Sequence, residues 1–255
     1  MIKLSDRLQV IADRVEKNKT MADIGTDHGF LPIYLIQSGK CRKVIATDIS
    51  MLSLSKAIEN AERILKDSKV FEARRGNGLN VLDDGEADTV VIAGMGGKLI
   101  RDIMAADLKH TCSFNRFVLQ PRIGQGVLRK WLCENGFRII DEDVVHEGSY
   151  IPEIITVLSP SKRKHRYISC LNEAFIGASA TGNCSGEDIR FKVPAWIINA
   201  GGPIEEFLRK NIEQEKNILK NVMLAKKRNV ESEKKICNNI YYLKKLLKEV
   251  EYGKK

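Results

Sequence analysis

Between residues 19 and 158 the chain alternates short apolar, β-branched runs with amphipathic helical stretches, and few folds accept that pattern. "KTMADIG", "KVIATD", "KVFEARRG", "ADTVVIAGMGG" and "RFVLQP" read as strands. "LPIYLIQSG", "SMLSLSKAIENAERILKD", "KLIRDIMAAD" and "GQGVLRKWLCENG" between them read as helices, with Ser50 as a cap and Gly39 and Gly136 just past helix ends. Two further strand-like runs, "FRIIDEDVVHE" and "PEIITVLSP", close the series, and an N-terminal helix starts after Ser5. Such alternation predicts a mainly parallel sheet covered by helices on both faces, with its ligand site beyond the carboxyl ends of the strands. "DIGTDHG", "TDIS", "GNGL", "AGMGG" and "LQPR" each follow a strand.

Charge divides the chain. Residues 1–160 hold 22 Lys and Arg against 22 Asp and Glu, so the net charge of +9 lies entirely in residues 161–255. A neutral body with a basic appendage points to chemistry in the first part and an anionic partner for the second. In the appendage "SKRKHR" reads as a linker and "GASATGNCSGED" as a loop. Ile204, Leu208, Ile212, Leu219 and Val222, then Ile236, Ile240, Leu243, Leu247 and Val250, predict two helices packed as an antiparallel hairpin on a coiled-coil-like seam. The predicted division is therefore 1–159 and 160–255. No run reaches the roughly 18 apolar residues of a membrane span. The N-terminus lacks a secretory pattern, and none of the six cysteines forms a C-x-x-C pair. The expectation is a cytoplasmic protein with free thiols, no metal and no membrane partner, monomeric or dimerising through the hairpin.

The loop after the first strand, "DIGTDHG", begins like a dinucleotide loop but places Asp27 and His28 where a pyrophosphate would sit. A carboxylate there repels phosphate, which disfavours NAD and FAD. It suits S-adenosylmethionine, which carries an ammonium and a sulfonium and no phosphate. Asp48, 23 residues after Gly25, stands where an acidic side chain holds ribose hydroxyls, and Asn77 is placed for an adenine edge. The loop after the fourth strand, Ala93 to Gly97, offers no side-chain base, while its glycines let a flat ring approach and Met95 gives it an apolar face. A ring nitrogen with a free in-plane lone pair, such as adenine N1, needs no base, and catalysis there is mostly positioning. N1 lies on the pairing edge, so a helical base must be flipped out.

"ADIGTDHGFLP", "IAGMGG", "LQP", the "LSDRL" start and the helical tail resemble the bacterial tRNA (adenine-22-N1)-methyltransferase family over residues 1–159. The resemblance implies a Rossmann-like class I methyltransferase fold, a seven-stranded mostly parallel sheet, plus a C-terminal helical domain that grips tRNA. It implies S-adenosyl-L-methionine contact for Asp23, Gly25, Thr26, Asp27, Asp48, Ile49, Gly76, Asn77, Gly78, Ala93, Gly94 and Met95. It implies target-base or catalytic roles for His28, Met95, Gln120 and Arg122. Gln120, whose amide donates and accepts, is expected to read the flipped adenine, and Arg122 to meet a phosphate. Asp27 and His28 are left between the methionine end and the target base. The chain departs from the family between Ser161 and Gly202, where "GGPIEEFLRK" arrives late. Three other readings remain: a methyltransferase for another RNA or a small molecule, an RNA-binding protein with a vestigial cofactor fold and, least favoured, an NAD dehydrogenase.

Overall fold

The structure, a computed structural model, describes residues 2–65, 68–160, 186–225 and 229–253. The seven strands are β1 (Lys19–Ile24), β2 (Cys41–Asp48), β3 (Phe71–Arg75), β4 (Thr89–Met95), β5 (Arg116–Pro121), β6 (Arg138–Val144) and β7 (Glu153–Leu158). They form one sheet in the order β3-β2-β1-β4-β5-β7-β6, parallel except for β7, which runs antiparallel to both neighbours. The order reverses at β1, with β2 on one side and β4 on the other. Chains leaving these two strands therefore diverge and open a crevice above their carboxyl ends.

Alternation along each strand sorts the core onto two faces. Ala22, Ile24, Val90, Ile92, Phe117 and Leu119 pack with Ile100 and Met104 of α4 (Gly97–Ala105) and Leu128 and Leu132 of α6 (Gln125–Glu134). Met21, Val44, Val91 and Val118 pack with Ile11 and Ala12 of α1 (Asp6–Arg14) and Leu31 and Leu35 of α2 (Phe30–Gln37). Helix α3 (Met51–Ile64) contributes buried Leu54, Ala57 and Ala61, and the short α5 (Leu108–Thr111) follows α4. Ser5 and Ser50 cap their helices as their sequence positions suggest. The third strand is shorter than expected, since Ser68–Val70 form a 3-10 turn.

The C-terminal part is an antiparallel pair, α8 (Ile204–Leu224) and α9 (Val230–Gly253), preceded by the single turn α7 (Ile189–Lys192). Arg209 pairs with Glu251, and Asn239 donates to the buried Glu215, which fixes the antiparallel sense. Ile204, Leu208, Ile212, Ile236, Leu243 and Leu247 are buried as the spacing predicts. Leu219, Val222 and Ile240 are only half-buried, while Phe207 and Leu246 are buried. The reason is that the pair closes on more than its own seam. Its core includes Ile189, Val193 and Ile197 and extends to Val144 at the end of β6. "SKRKHR" and most of "GASATGNCSGED" lie outside the described residues.

One buried ion cluster ties this appendage to the sheet. Arg129 of α6 is fully buried, donates to both Glu142 oxygens at 2.9 and 3.1 Å and reaches Glu153 at 2.5 Å. Its Nη1 donates to the carbonyls of Phe191 and Lys192, just where α7 ends. Burial works against the guanidinium, but the two carboxylates outweigh it and hold its pKa above the ordinary value. Burial likewise pushes the Glu153 carboxyl up against the pull of Arg129. Such a group is costly to leave half-made. Arg129→Ala is expected to lower the unfolding free energy by about 3–5 kcal/mol, read by urea denaturation at neutral pH. A loss under about 1 kcal/mol would show that the cluster does not hold the fold together.

Candidate active site

Asp23 stands at the reversal point. It is the penultimate residue of β1, in register with Ala46 of β2 and Val91 of β4, and is only 8% exposed. None of the ion pairs among the described residues includes it. Burial, opposed by a hydrogen bond from Thr26 and reinforced by the charge of Asp48, pushes its carboxyl up to about 6. Keeping it ionised at neutral pH costs the fold about 3 kcal/mol. A cationic ligand in the crevice would offset that cost.

The chain then turns sharply. Gly25 has φ of +82° and Gly29 +69°, in the region that favours glycine. The Gly25 and Thr26 N–H groups both donate to the Thr47 carbonyl at 2.8 Å, locking this loop to the end of β2. A β-carbon on Gly25 would collide with the Met95 methyl, so the Met95 thioether lies directly over the loop. Thus Gly25 and Met95, 70 residues apart, meet across the crevice. Thr26 is buried, whereas Asp27 points to solvent with 70% of its side chain exposed. His28 lies 3.3 Å from Asp27 and stacks on Phe30 with ring centroids 5.3 Å apart. The Asp27–His28 pair therefore sits at the mouth, not at the floor.

At the end of β2, one Asp48 oxygen accepts the Ser50 N–H at 2.6 Å, and the Asp48 carbonyl accepts from Gly76. This second bond brings the 76–78 turn beside Asp48. Ile49 and Asn77 are exposed there, and Asn77 starts a 3-10 turn without using its side chain as a cap. The turns after β1, β2 and β3 are therefore linked side by side at the carboxyl ends of these strands.

The 93–97 loop forms the other wall of the crevice. Gly94 has φ of +77°, and a β-carbon placed on it meets nothing within 4 Å, so open space lies above it. Its N–H donates to Gln120 Oε1 at 3.1 Å. Gln120, expected to read a target base, has its partners within the protein. This residue is 2% exposed, its oxygen also accepts from Arg7, and its nitrogen donates to the Pro121 carbonyl. Its oxygen is thus engaged in holding the loop. Arg7 in turn is held by Glu147 at 2.8–2.9 Å. Arg7 lies in the "LSDRL" start but nothing in the sequence assigns it this role, since Glu147 belongs to no motif and 140 residues separate the two. Arg122 is exposed, and its N–H donates to the Met95 carbonyl at 2.7 Å, so it stands at the crevice rim.

Residues 4–155 match the family model described as a methyltransferase domain. Among curated relatives, the Bacillus subtilis tRNA (adenine(22)-N(1))-methyltransferase is 36% identical over 154 residues, covering 60% of this chain and 64% of that protein, less than two thirds of its length. A putative tRNA methyltransferase of Mycoplasma pneumoniae is 32% identical over 167 residues, covering 64% of this chain and 75% of that one. Among solved structures, the B. subtilis m1A22 tRNA methyltransferase TrmK superposes with a TM-score of 0.75 at 27% identity, covering 98% of this chain and 99% of that one. The likeness in fold thus extends through the C-terminal helices.

The raised Asp23 carboxyl gives a testable pH dependence. A folded value of about 6 against an ordinary 3.8 means that the fold favours the protonated form. Its stabilising contribution is complete below about pH 4 and is lost as pH rises through 6. The unfolding free energy of Asp23→Asn minus that of the natural chain should therefore grow by about 3 kcal/mol between pH 3 and 7. A difference that stays flat over this range would mean that Asp23 is not held in a desolvated site.

Proposed function

This chain belongs to the methyltransferase-domain family, and from that premise we propose that it transfers a methyl group from S-adenosylmethionine to N1 of adenine 22 of tRNA. The observation that carries this reading is the acidic crevice: buried Asp23 with no ion-pair partner among the described residues, Asp48 beside it, and an open glycine floor at Gly94. Two carboxylates suit an ammonium and a ribose and repel a pyrophosphate. The B. subtilis relative and the matching TrmK fold support the same substrate.

Asp23 would face the methionine ammonium, Asp48 would accept from the ribose hydroxyls through the oxygen not used by Ser50, and Asn77 would meet the adenine edge. The cofactor supplies an electrophilic methyl on sulfur. The chain supplies position. Met95, pressed over Gly25, narrows the passage between the cofactor side and the acceptor side. Gly94 leaves room for a flat ring, held in place through Gln120 and Arg7. Adenine N1 attacks through its own lone pair, so the residues need only align it and exclude water. Asp27 and His28, at the exposed mouth, would meet the target nucleotide. The basic residues of α8 and α9, including exposed Lys220, Lys234 and Lys235, would hold the tRNA backbone. Residues 1–159 and 160–255 would thus divide the work between chemistry and grip.

The test uses the full chain, methyl-labelled S-adenosylmethionine and two tRNA transcripts, one with adenine and one with guanine at position 22. Label should enter only the first, as 1-methyladenosine at that position. Equal labelling of the guanine transcript, or labelling of neither, would overturn the reading.

A further inference from the structure

Two short segments cross beside the acceptor wall and present an unusual surface. The start of α4 meets the 122–124 turn through paired backbone bonds. Gly97 N–H donates to the Ile123 carbonyl and Arg122 N–H to the Met95 carbonyl, both at 2.7 Å. The contact is so close that a β-carbon on Gly97 would collide with the Gly124 carbonyl oxygen. The turn is thereby fixed to the 93–97 loop. On this fixed base Ile123 is 72% exposed and Leu99 53%. The Ile123 side chain leans towards Gly96, since a β-carbon there would lie 3.9 Å from Ile123 Cγ1. Lys98 and Arg122 are exposed alongside, and among the described residues neither side chain has an ion-pair partner. A single exposed isoleucine is ordinary. An exposed isoleucine on a fixed turn, with Leu99, Lys98 and Arg122 exposed within three residues of the crossing and open space above Gly94, is a surface for stacked bases and phosphates.

We propose that Ile123, with Leu99 beside it, is a wedge that fills the place the acceptor adenine vacates in the RNA stack, while Lys98 and Arg122 hold the flanking phosphates. This rests on the acceptor reading given above. Taking a base out of a stack costs a few kcal/mol, and an apolar side chain at the vacated step offsets part of that cost. A wedge on a mobile loop would lose its advantage to ordering, and the two backbone bonds remove that loss. The role belongs to a positioning residue, since Ile123 acts on the stack and not on the reacting atoms.

The experiment measures single-turnover methylation at saturating S-adenosylmethionine on two tRNA transcripts. One is natural; in the other the nucleotide opposite the acceptor is changed so that the acceptor is unpaired. Ile123→Ser should slow the natural transcript by about tenfold or more, with most of the loss restored on the unpaired one. Ile123→Met, which keeps an apolar side chain, should stay within about threefold on both. An equal loss on both transcripts would overturn the wedge and assign Ile123 to shaping the 93–97 loop or to a protein contact. No loss on the natural transcript would overturn it as well. If the unsubstituted chain methylates neither transcript, the acceptor reading itself fails and the wedge with it, a result visible before any variant is made.

Discussion

The sheet reverses its order between β1 and β4, and the site exists because of that reversal. Neighbouring parallel strands whose connections leave in opposite directions cannot both be roofed by their own loops. The gap that remains is floored by Asp23, walled by the Gly25 turn and by the 93–97 loop, and bridged by Met95. A buried carboxylate in such a gap is a standing electrostatic cost, relieved by a proton at low pH and by a cation at neutral pH. The neighbouring features keep that gap open and place a second carboxylate at its edge. The loop glycines open the backbone, Thr47 pins the β1 turn through two N–H groups, and Asp48 is brought within range at the end of β2.

The second structural dependence is the docking of the C-terminal helices. Arg129 joins α6, β6 and β7 to the end of α7 in one buried cluster, and Val144 N–H donates to the Gly201 carbonyl at 2.9 Å. The helical pair is therefore tethered to the antiparallel edge of the sheet, away from the crevice at β1 and β4. The arrangement leaves the crevice open while fixing the helical pair relative to it. On the proposed reading, a fixed attachment would let any hold on the RNA backbone orient the acceptor, which a flexible tether would not.

The parallel sheet and its order of elements are legible in the sequence because most strands carry a β-branched run and several helices a cap or a closing glycine. Ser50, Gly39 and Gly136 are examples. The acidic loop was legible for the same reason: Asp23, Asp27 and Asp48 occupy fixed offsets from strand ends. Long-range partnerships were not. Gln120 looks like a free amide at a strand end, and only the fold shows that Arg7 and Gly94 occupy its oxygen. Arg129 looks like a surface charge on an amphipathic helix, yet it is the most deeply buried cation of the sheet's edge. Phe207 and Leu246 fall off the heptad seam because the surface they cover belongs to α7 and β6, which no helical periodicity reports.

The account stands on a desolvated carboxylate selecting a cationic adenosine cofactor. Calorimetric titration of S-adenosylmethionine and of NAD into the full chain between pH 5 and 7 tests it most directly. S-adenosylmethionine should bind, with affinity falling as pH drops through about 6 and Asp23 takes up a proton. Asp23→Asn should bind it weakly and without that pH dependence, and NAD should not bind. Tight binding of NAD, or binding of S-adenosylmethionine by Asp23→Asn as strong as by the natural chain, would contradict the account.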